Sequence, residues 1–102
     1  MPDAETRFHD IGSAIAGATA SQMFGKKCYK KGGKAFVCFF EDCMVFKLPA
    51  EPHAAAMSLS GAKLFDPSGK GRPMKEWVQV PHSHHARWAQ FAAAASSYVA
   101  GS

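Results

Sequence analysis

The spacing of apolar residues along the chain changes several times, and each change marks a predicted element. In residues 3–18 the apolar positions fall at the spacing of one helix face: Phe8, Ile11, Ile15 and Ala18. Asp3 is a suitable N-cap, because its side chain can accept a hydrogen bond from a free amide of the first turn. We predict a helix over residues 3–18 that ends near Gly17, since glycine disfavours a helix interior.

Three short β-like runs come next, at residues 26–31, 34–40 and 43–48. Gly32 and Gly33 separate the first two runs, and glycine tolerates the positive φ angles of a tight hairpin turn. Glu41 and Asp42 are a plausible second turn, and Pro49 ends the third run. These runs predict an antiparallel meander.

The second half of the chain predicts a helix at 51–60, a short strand at 62–66, a strand at 75–80 and a last helix at 83–99. The last helix has a clear apolar stripe: Trp88, Phe91, Ala92, Ala95 and Val99. The resulting order is α-β-β-β-α-β-β-α. It predicts an α+β two-layer sandwich, in which helices cover one face of a five-stranded antiparallel sheet.

The stretch LFDPSGKGRPMKEWVQVP, residues 64–81, carries a glycine- and lysine-rich cluster that invites comparison with a phosphate-binding loop. Asp66-Pro67-Ser68-Gly69 instead favours a type I turn. A strand is predicted after this cluster, whereas a helix follows a P-loop. We predict a hairpin with its bend at 67–73, and Lys70 and Arg72 remain candidates for contact with an anion.

Composition limits the function classes. A chain of 102 residues predicts one domain over 1–102, and a net charge of +4 permits weak attraction to nucleic acid without requiring it. Three cysteines with no C-x-x-C spacing predict free thiols rather than a disulfide framework. Acidic residues near the start leave no signal-peptide pattern, and no apolar run is long enough for a membrane span, so we expect a cytoplasmic protein with no membrane partner.

Four segments together resemble the N-terminal domain of the TfoX/Sxy family over residues 5–100. They are MFG (23–25), CYKKGGKAFVCFFEDCMVFKLP (28–49), GAKLFDPSGKGRPMKEWVQVP (61–81) and the final helix with its tryptophan. Lys26-Lys27 and Gln22 depart from the family pattern, which favours glycine and a basic residue at these places.

The TfoX/Sxy family is associated with the regulation of natural competence in bacteria. The resemblance implies a two-layer α+β fold related to the secretion-chaperone-like architecture, and a regulatory role linked to transcription. Longer relatives carry a second helical domain, so we expect this chain to be a stand-alone single-domain member. The resemblance supplies no catalytic residues.

The run at 34–40 is apolar on both predicted faces. Strict alternation places Ala35, Val37 and Phe39 on one face and Phe36, Cys38 and Phe40 on the other. In a two-layer fold one face of the sheet meets water, and an exposed aromatic patch usually marks an interface. We therefore predict a homodimer or another protein partner, with these interface candidates: Phe36, Val37, Cys38, Phe39 and Phe40.

A different function class is suggested by the basic hairpin 26–34, which carries five lysines: Lys26, Lys27, Lys30, Lys31 and Lys34. Basic ribbons can contact phosphates without reading sequence. Only Tyr29 is interleaved with them, so a stacking platform for single strands is missing. The alternative function is a weak nucleic-acid or anion-binding module that uses Lys27, Lys31, Lys70 and Arg72.

The remaining chemistry-bearing residues do not form a motif. His82 and His85 have a spacing that can share a metal ion, but no cysteine or carboxylate lies nearby in sequence to complete a site. The cysteines have no histidine in the same meander to act as a base. We predict no metal, no cofactor and no enzymatic activity.

Overall fold

The computed structural model describes residues 3–23, 25–66, 69, 71 and 73–101. Within these residues the chain forms three α-helices and six β-strands. They are, in chain order, α1 (Ala4–Ala14), β1 (Ala18–Met23), β2 (Lys26–Lys31), β3 (Lys34–Phe40), β4 (Cys43–Lys47), α2 (Ala50–Met57), β5 (Lys63–Phe65), β6 (Met74–Pro81) and α3 (His85–Ala100), with a 3₁₀ turn at His82–His84 before α3.

Helix α1 begins as predicted and ends earlier. The Asp3 carboxylate accepts a hydrogen bond from the Thr6 amide at 2.8 Å. Hydrogen bonding with Thr6 lowers the pKa of Asp3. Ile15 already has extended backbone angles, and Gly17 turns the chain with φ +81°. The chain therefore leaves the helix after Ala14 and enters a strand.

That strand, β1, makes the sheet larger than predicted. The sheet is antiparallel throughout, with the order β1-β2-β3-β4-β6-β5. The expectation of five strands was wrong, because residues 18–23 were assigned to the end of the first helix and to the segment after it. The coarser prediction, an α+β fold with an antiparallel sheet, is confirmed.

The central meander follows the prediction closely. Strands β2 and β3 have the predicted bounds, and β4 ends one residue early. Gly32 and Gly33 have φ angles of +60° and +82°. Glu41 and Asp42 also have positive φ angles, +49° and +61°, so a left-handed turn forms there without glycine.

The elements of the second half are present at slightly different bounds. Helix α2 covers Ala50–Met57 instead of 51–60, and α3 begins only after the 3₁₀ turn. Strands β5 and β6 pair antiparallel, which confirms the hairpin over residues 64–81. The register between these strands shifts at Leu64 and Phe65, so the hairpin is irregular.

All three described helices pack on one face of the sheet, which we call the front face. The buried front cluster unites helix and strand residues: Ala4, Phe8, Tyr29, Phe36, Val37, Met44, Phe46, Leu48, Ala56, Val78, Val80, Trp88, Phe91, Ala92, Ala95 and Val99. The predicted stripe of the last helix is buried in full. In the described part of the chain, no helix is both long and apolar enough to cross a membrane.

Candidate functional site

The opposite face of the sheet, the back face, holds a second apolar cluster instead of an open aromatic patch. Its buried members are Cys28, Cys38, Val45, Phe65 and Trp77, and Ala35, Phe40 and Met74 pack around them. Phe65 and Phe40 contact each other edge to face, with ring centroids 5.4 Å apart. The back face is therefore largely closed by the chain's own side chains.

A β-bulge changes which side chains of β3 reach this face. Tyr29 pairs with Val37 and Lys30 pairs with Ala35, so Phe36 has no partner on β2. Phe36 and Val37 both join the front cluster, and Ala35 packs on the back cluster. Strict alternation was wrong for Ala35 and Phe36.

The five interface candidates now divide into two groups. Phe36, Val37 and Cys38 are fully buried within the single chain. Phe39 and Phe40 are partly exposed, but Phe39 packs against the ring of Phe8 and Phe40 against that of Phe65. An interface made by the three buried side chains would require the chain to open, so strand β3 offers no ready docking surface.

The edge strand β1 is a different kind of surface, which the sequence analysis missed. It pairs with β2 in an unbroken register from Ala18 to Met23, and it is the first strand in the sheet order. Its sequence, ATASQM, contains no charged residue and no proline. Thr19, Ala20 and Gln22 are exposed.

Natural sheet edges are usually protected by lysines, proline, bulges or shortness. Strand β5, at the other edge, is three residues long, contains Lys63 and pairs irregularly with β6. Strand β1 has six residues and none of these protections. The Ala18 amide donates to the Ile15 carbonyl oxygen at 3.1 Å, so the edge that is open to a further strand begins after Ala18.

Three lysines of the basic hairpin contact other parts of the chain. Lys27 forms an ion pair with Glu5, whose pKa is lowered by this contact. Lys31 donates a hydrogen bond to the Ser96 hydroxyl at 3.2 Å, and the Lys26 ammonium lies 4.7 Å from the Phe40 ring centroid. Three of the five lysines of the hairpin therefore already contact other side chains of the chain.

In the glycine-rich turn after β5, a carboxylate of the chain itself binds the backbone amides. The Asp66 carboxylate accepts hydrogen bonds from the amides of Gly69 at 3.1 Å and Gly71 at 2.9 Å. Backbone amides so occupied are not free to hold a phosphate. Lys70 and Arg72, the predicted anion candidates, lie outside the described residues, as do Pro67 and Ser68 of the predicted turn.

The cysteines lie on three neighbouring strands, and two of them face each other. Cys28 and Cys38 are direct cross-strand partners, while Cys43 pairs with Phe40. Burial raises the pKa of all three thiols, and that of Cys38 to about 12. A nucleophilic cysteine needs a lowered pKa or an adjacent base, so this arrangement does not favour covalent catalysis.

A cleft of about 520 Å³ opens beside Gln79. It is lined by Phe40, Glu41, Lys63, Leu64, Asp66, Gly69 and Gln79. Gln79 is 5% exposed, and its side-chain amide donates to the Cys43 sulfur at 3.5 Å. The described lining carries charges of both signs and includes no histidine.

The histidines that follow β6 take separate roles. His84 Nε2 lies 2.8 Å from the Ser60 carbonyl oxygen, whereas His82 and His85 lie side by side. In the described residues no three histidine, cysteine or carboxylate side chains are grouped as metal ligands would be.

These features define a small α+β domain with helices on one face of an open antiparallel sheet and an unprotected edge strand. Comparisons with protein-family models, curated proteins and solved structures gave no match. The resemblance to the TfoX/Sxy family therefore stays a prediction.

Proposed function

We propose that this chain is a non-catalytic protein-interaction domain whose first partner is a second copy of itself, paired through β1. The observation that carries the proposal is the long, regular and uncharged edge of this strand. Protein interaction by strand addition needs such an edge, because main-chain hydrogen bonds supply the affinity.

The edge suits a second copy because it is self-complementary. About a two-fold axis through Ser21, antiparallel pairing places Ala20 opposite Gln22 of the second copy, since directly opposed residues share one face of the sheet. No like charges meet across the new contact, since the strand carries none. The β2 lysines of the two copies would lie about 14 Å apart, three strand spacings, where salt screens most of their repulsion.

Strand pairing of this length is a modest interface. Only alternate residues direct their amide and carbonyl outward, so the pairing forms about four main-chain hydrogen bonds, each contributing ~1 kcal/mol net. The buried area falls toward the low end of specific interfaces, under ~1,200 Å². We therefore expect reversible dimers in the micromolar range rather than an obligate dimer.

The regulatory role implied by the TfoX/Sxy resemblance fits such a domain. A small cytoplasmic domain that pairs reversibly can bring a transcription partner under control without any chemistry of its own. Support for the non-catalytic assignment comes from the raised pKa values of the thiols. Support against the nucleic-acid alternative comes from the engaged Lys26, Lys27 and Lys31.

The experiment measures mass by sedimentation for the native chain and for two edge variants. In Ala20→Lys/Gln22→Lys, like charges face each other across the two-fold axis, and the variant should be monomeric. In Ala20→Glu/Gln22→Lys, opposite charges face each other, and dimerisation should be retained or strengthened. This pair of variants tests the register as well as the surface.

A matched control places the same added charge elsewhere. Ala86 and Ala89 are exposed on α3, so Ala86→Lys/Ala89→Lys should dimerise as the native chain does. A native chain that stays monomeric up to high micromolar concentration would refute the proposal. So would an Ala20→Lys/Gln22→Lys variant that still dimerises.

A further inference from the structure

Three buried polar atoms lack a partner in the described part of the chain, and they belong to one region of the front face. They are Arg7 Nε, His82 Nε2 and Trp88 Nε1. Buried polar atoms are normally hydrogen-bonded, because burying such an atom without a hydrogen-bond partner costs free energy. Three such atoms around one place therefore indicate an absent binding partner.

Ring contacts and helix packing bring these side chains together. The His82 ring lies 5.2 Å from that of His85 and 5.5 Å from that of Trp88. Trp88 is fully buried, so its indole N–H has no route to bulk water. Helix α1 packs against α3, and Arg7 is close enough to act on the pKa of His85.

Charge in this region is unbalanced. Among the described residues Arg7 forms no ion pair, although it is half-buried and a guanidinium is always charged. The neighbouring carboxylate, Asp3, is used to cap α1 through the Thr6 amide. Donors and positive charge thus exceed acceptors and negative charge.

We propose that the cluster of Arg7, His82, His85 and Trp88 binds a small oxyanion, a phosphate or carboxylate group. Such a group has several acceptor oxygens and a negative charge, and it satisfies the indole N–H and the guanidinium together. A buried water offers two acceptor sites and no charge, so it leaves Arg7 unbalanced. The site lies on the helical side of the fold and does not depend on dimerisation through β1.

His85 gives this site a pH dependence. Burial, Arg7 and His82 lower the pKa of His85 below 6.5, because they disfavour its charged form. A bound anion favours the protonated imidazole instead. The groups that face this region are Asp3 and Arg7 from α1, His82 from the 3₁₀ turn and His85 from α3, so affinity should rise as the pH falls through the histidine range.

The test follows the two indole N–H signals of the ¹⁵N-labelled chain during titration with inorganic phosphate and, separately, with acetate. The Trp88 signal should shift and saturate with at least one of the two anions. Trp77 belongs to the back cluster and serves as the internal reference, whose signal should not move. The anion that gives the tighter saturation identifies the ligand group as phosphate or carboxylate.

Variants assign the effect to the cluster. Arg7→Gln should weaken binding by roughly 10-fold or more, since it removes a charged hydrogen-bond donor. Arg87→Gln is the matched control, because Arg87 is exposed on α3, where it donates a hydrogen bond to Gln90 and lies over the Phe91 ring. If Arg7→Gln does not fold, Arg7→Lys retains the charge and should bind with a smaller loss.

Three results would overturn the inference, and the first two can be obtained on the native chain. One is a Trp88 signal that fails to respond to either anion. Another is a long-lived water contact to the Trp88 indole N–H that persists at high phosphate, which would identify the missing partner as a structural water. A Trp88 shift that is the same in Arg7→Gln as in the native chain would also refute it.

Discussion

The small size of Gly12 allows α1 to pack closely against Tyr29 of β2. Gly12 lies inside α1 and is buried, and the Tyr29 ring covers it. A β-carbon built on Gly12 would lie 2.4 Å from Tyr29 Cδ2, far inside van der Waals contact. The tyrosine hydroxyl is 2.9 Å from His9 Nδ1, so moving the ring also disturbs that hydrogen bond.

We predict that Gly12→Ala destabilises the protein by ~1–3 kcal/mol, the usual effect of overpacking. In an exposed helix the same change stabilises by about 1 kcal/mol, so the sign itself is diagnostic. Chemical denaturation of Gly12→Ala measures the effect, and Ser13→Ala, an exposed neighbour on α1, is the control. If the clash is the cause, Tyr29→Ala should make Gly12→Ala nearly neutral, and an additive double mutant would contradict this explanation.

The thiol of Cys38, in the back cluster, makes the stability of the fold depend on pH. Burial raises its pKa from 9.0 to about 12, and the neighbouring Cys28 acts in the same direction. The unfolded chain therefore loses this proton first as the pH rises. The contribution of Cys38 to stability is complete below pH 9.0 and is lost progressively up to about pH 12.

We predict that the free energy of unfolding falls with pH in this window, with a slope of roughly 1 kcal/mol per pH unit from Cys38. Denaturation curves at several alkaline pH values measure the slope. Cys38→Ala should be less stable at neutral pH but should show a shallower alkaline slope. Cys43→Ala should change the slope less, because Cys43 is only half-buried; an unchanged slope in Cys38→Ala would disprove the assignment.

At the scale of elements, the sequence predicted those parts of the fold that local chemistry determines. The hairpin between β2 and β3 has glycines at both positions of positive φ, and the apolar stripe of α3 has a clear period. Asp3 caps α1 as expected. In each case a few neighbouring residues carry the whole signal.

Strand β1 lacked such a signal. ATASQM contains small and polar residues with no apolar alternation, and it becomes a strand because β2 pairs with it. The bulge at Phe36 is also a tertiary effect, since one extra residue shifts the faces of β3. The predicted aromatic patch depended on strict alternation, so it could not be placed correctly from the sequence.

The same distinction applies to the candidate sites. The lysines of the hairpin and the histidines after β6 were visible in the sequence, but their partners were not. Lys27 forms an ion pair with Glu5 of α1, and the 3₁₀ turn brings the His82 ring against the Trp88 ring. Contacts between distant residues decide which polar groups are satisfied and which remain available.

At the scale of the molecule, the sheet lies between two apolar layers of unequal size. The front cluster includes residues of all three described helices, while the back cluster has only strand residues. Neighbouring side chains of one strand serve both layers: Val45 belongs to the back cluster and Phe46 to the front cluster. The two layers therefore share the same backbone and cannot separate without breaking strand pairing.

This shared backbone predicts that the two layers unfold in one cooperative step, as single domains of this size usually do. Trp77 reports on the back cluster and Trp88 on the front cluster, so Trp88→Phe and Trp77→Phe give one probe for each layer. Fluorescence transitions in denaturant should coincide between the probes. Phe65→Ala, which removes a buried ring of the back cluster and should cost ~3–5 kcal/mol, should lower both midpoints together. A Trp77 transition that precedes the Trp88 transition, or one that moves alone in Phe65→Ala, would mean that the back layer is a separate and weaker unit.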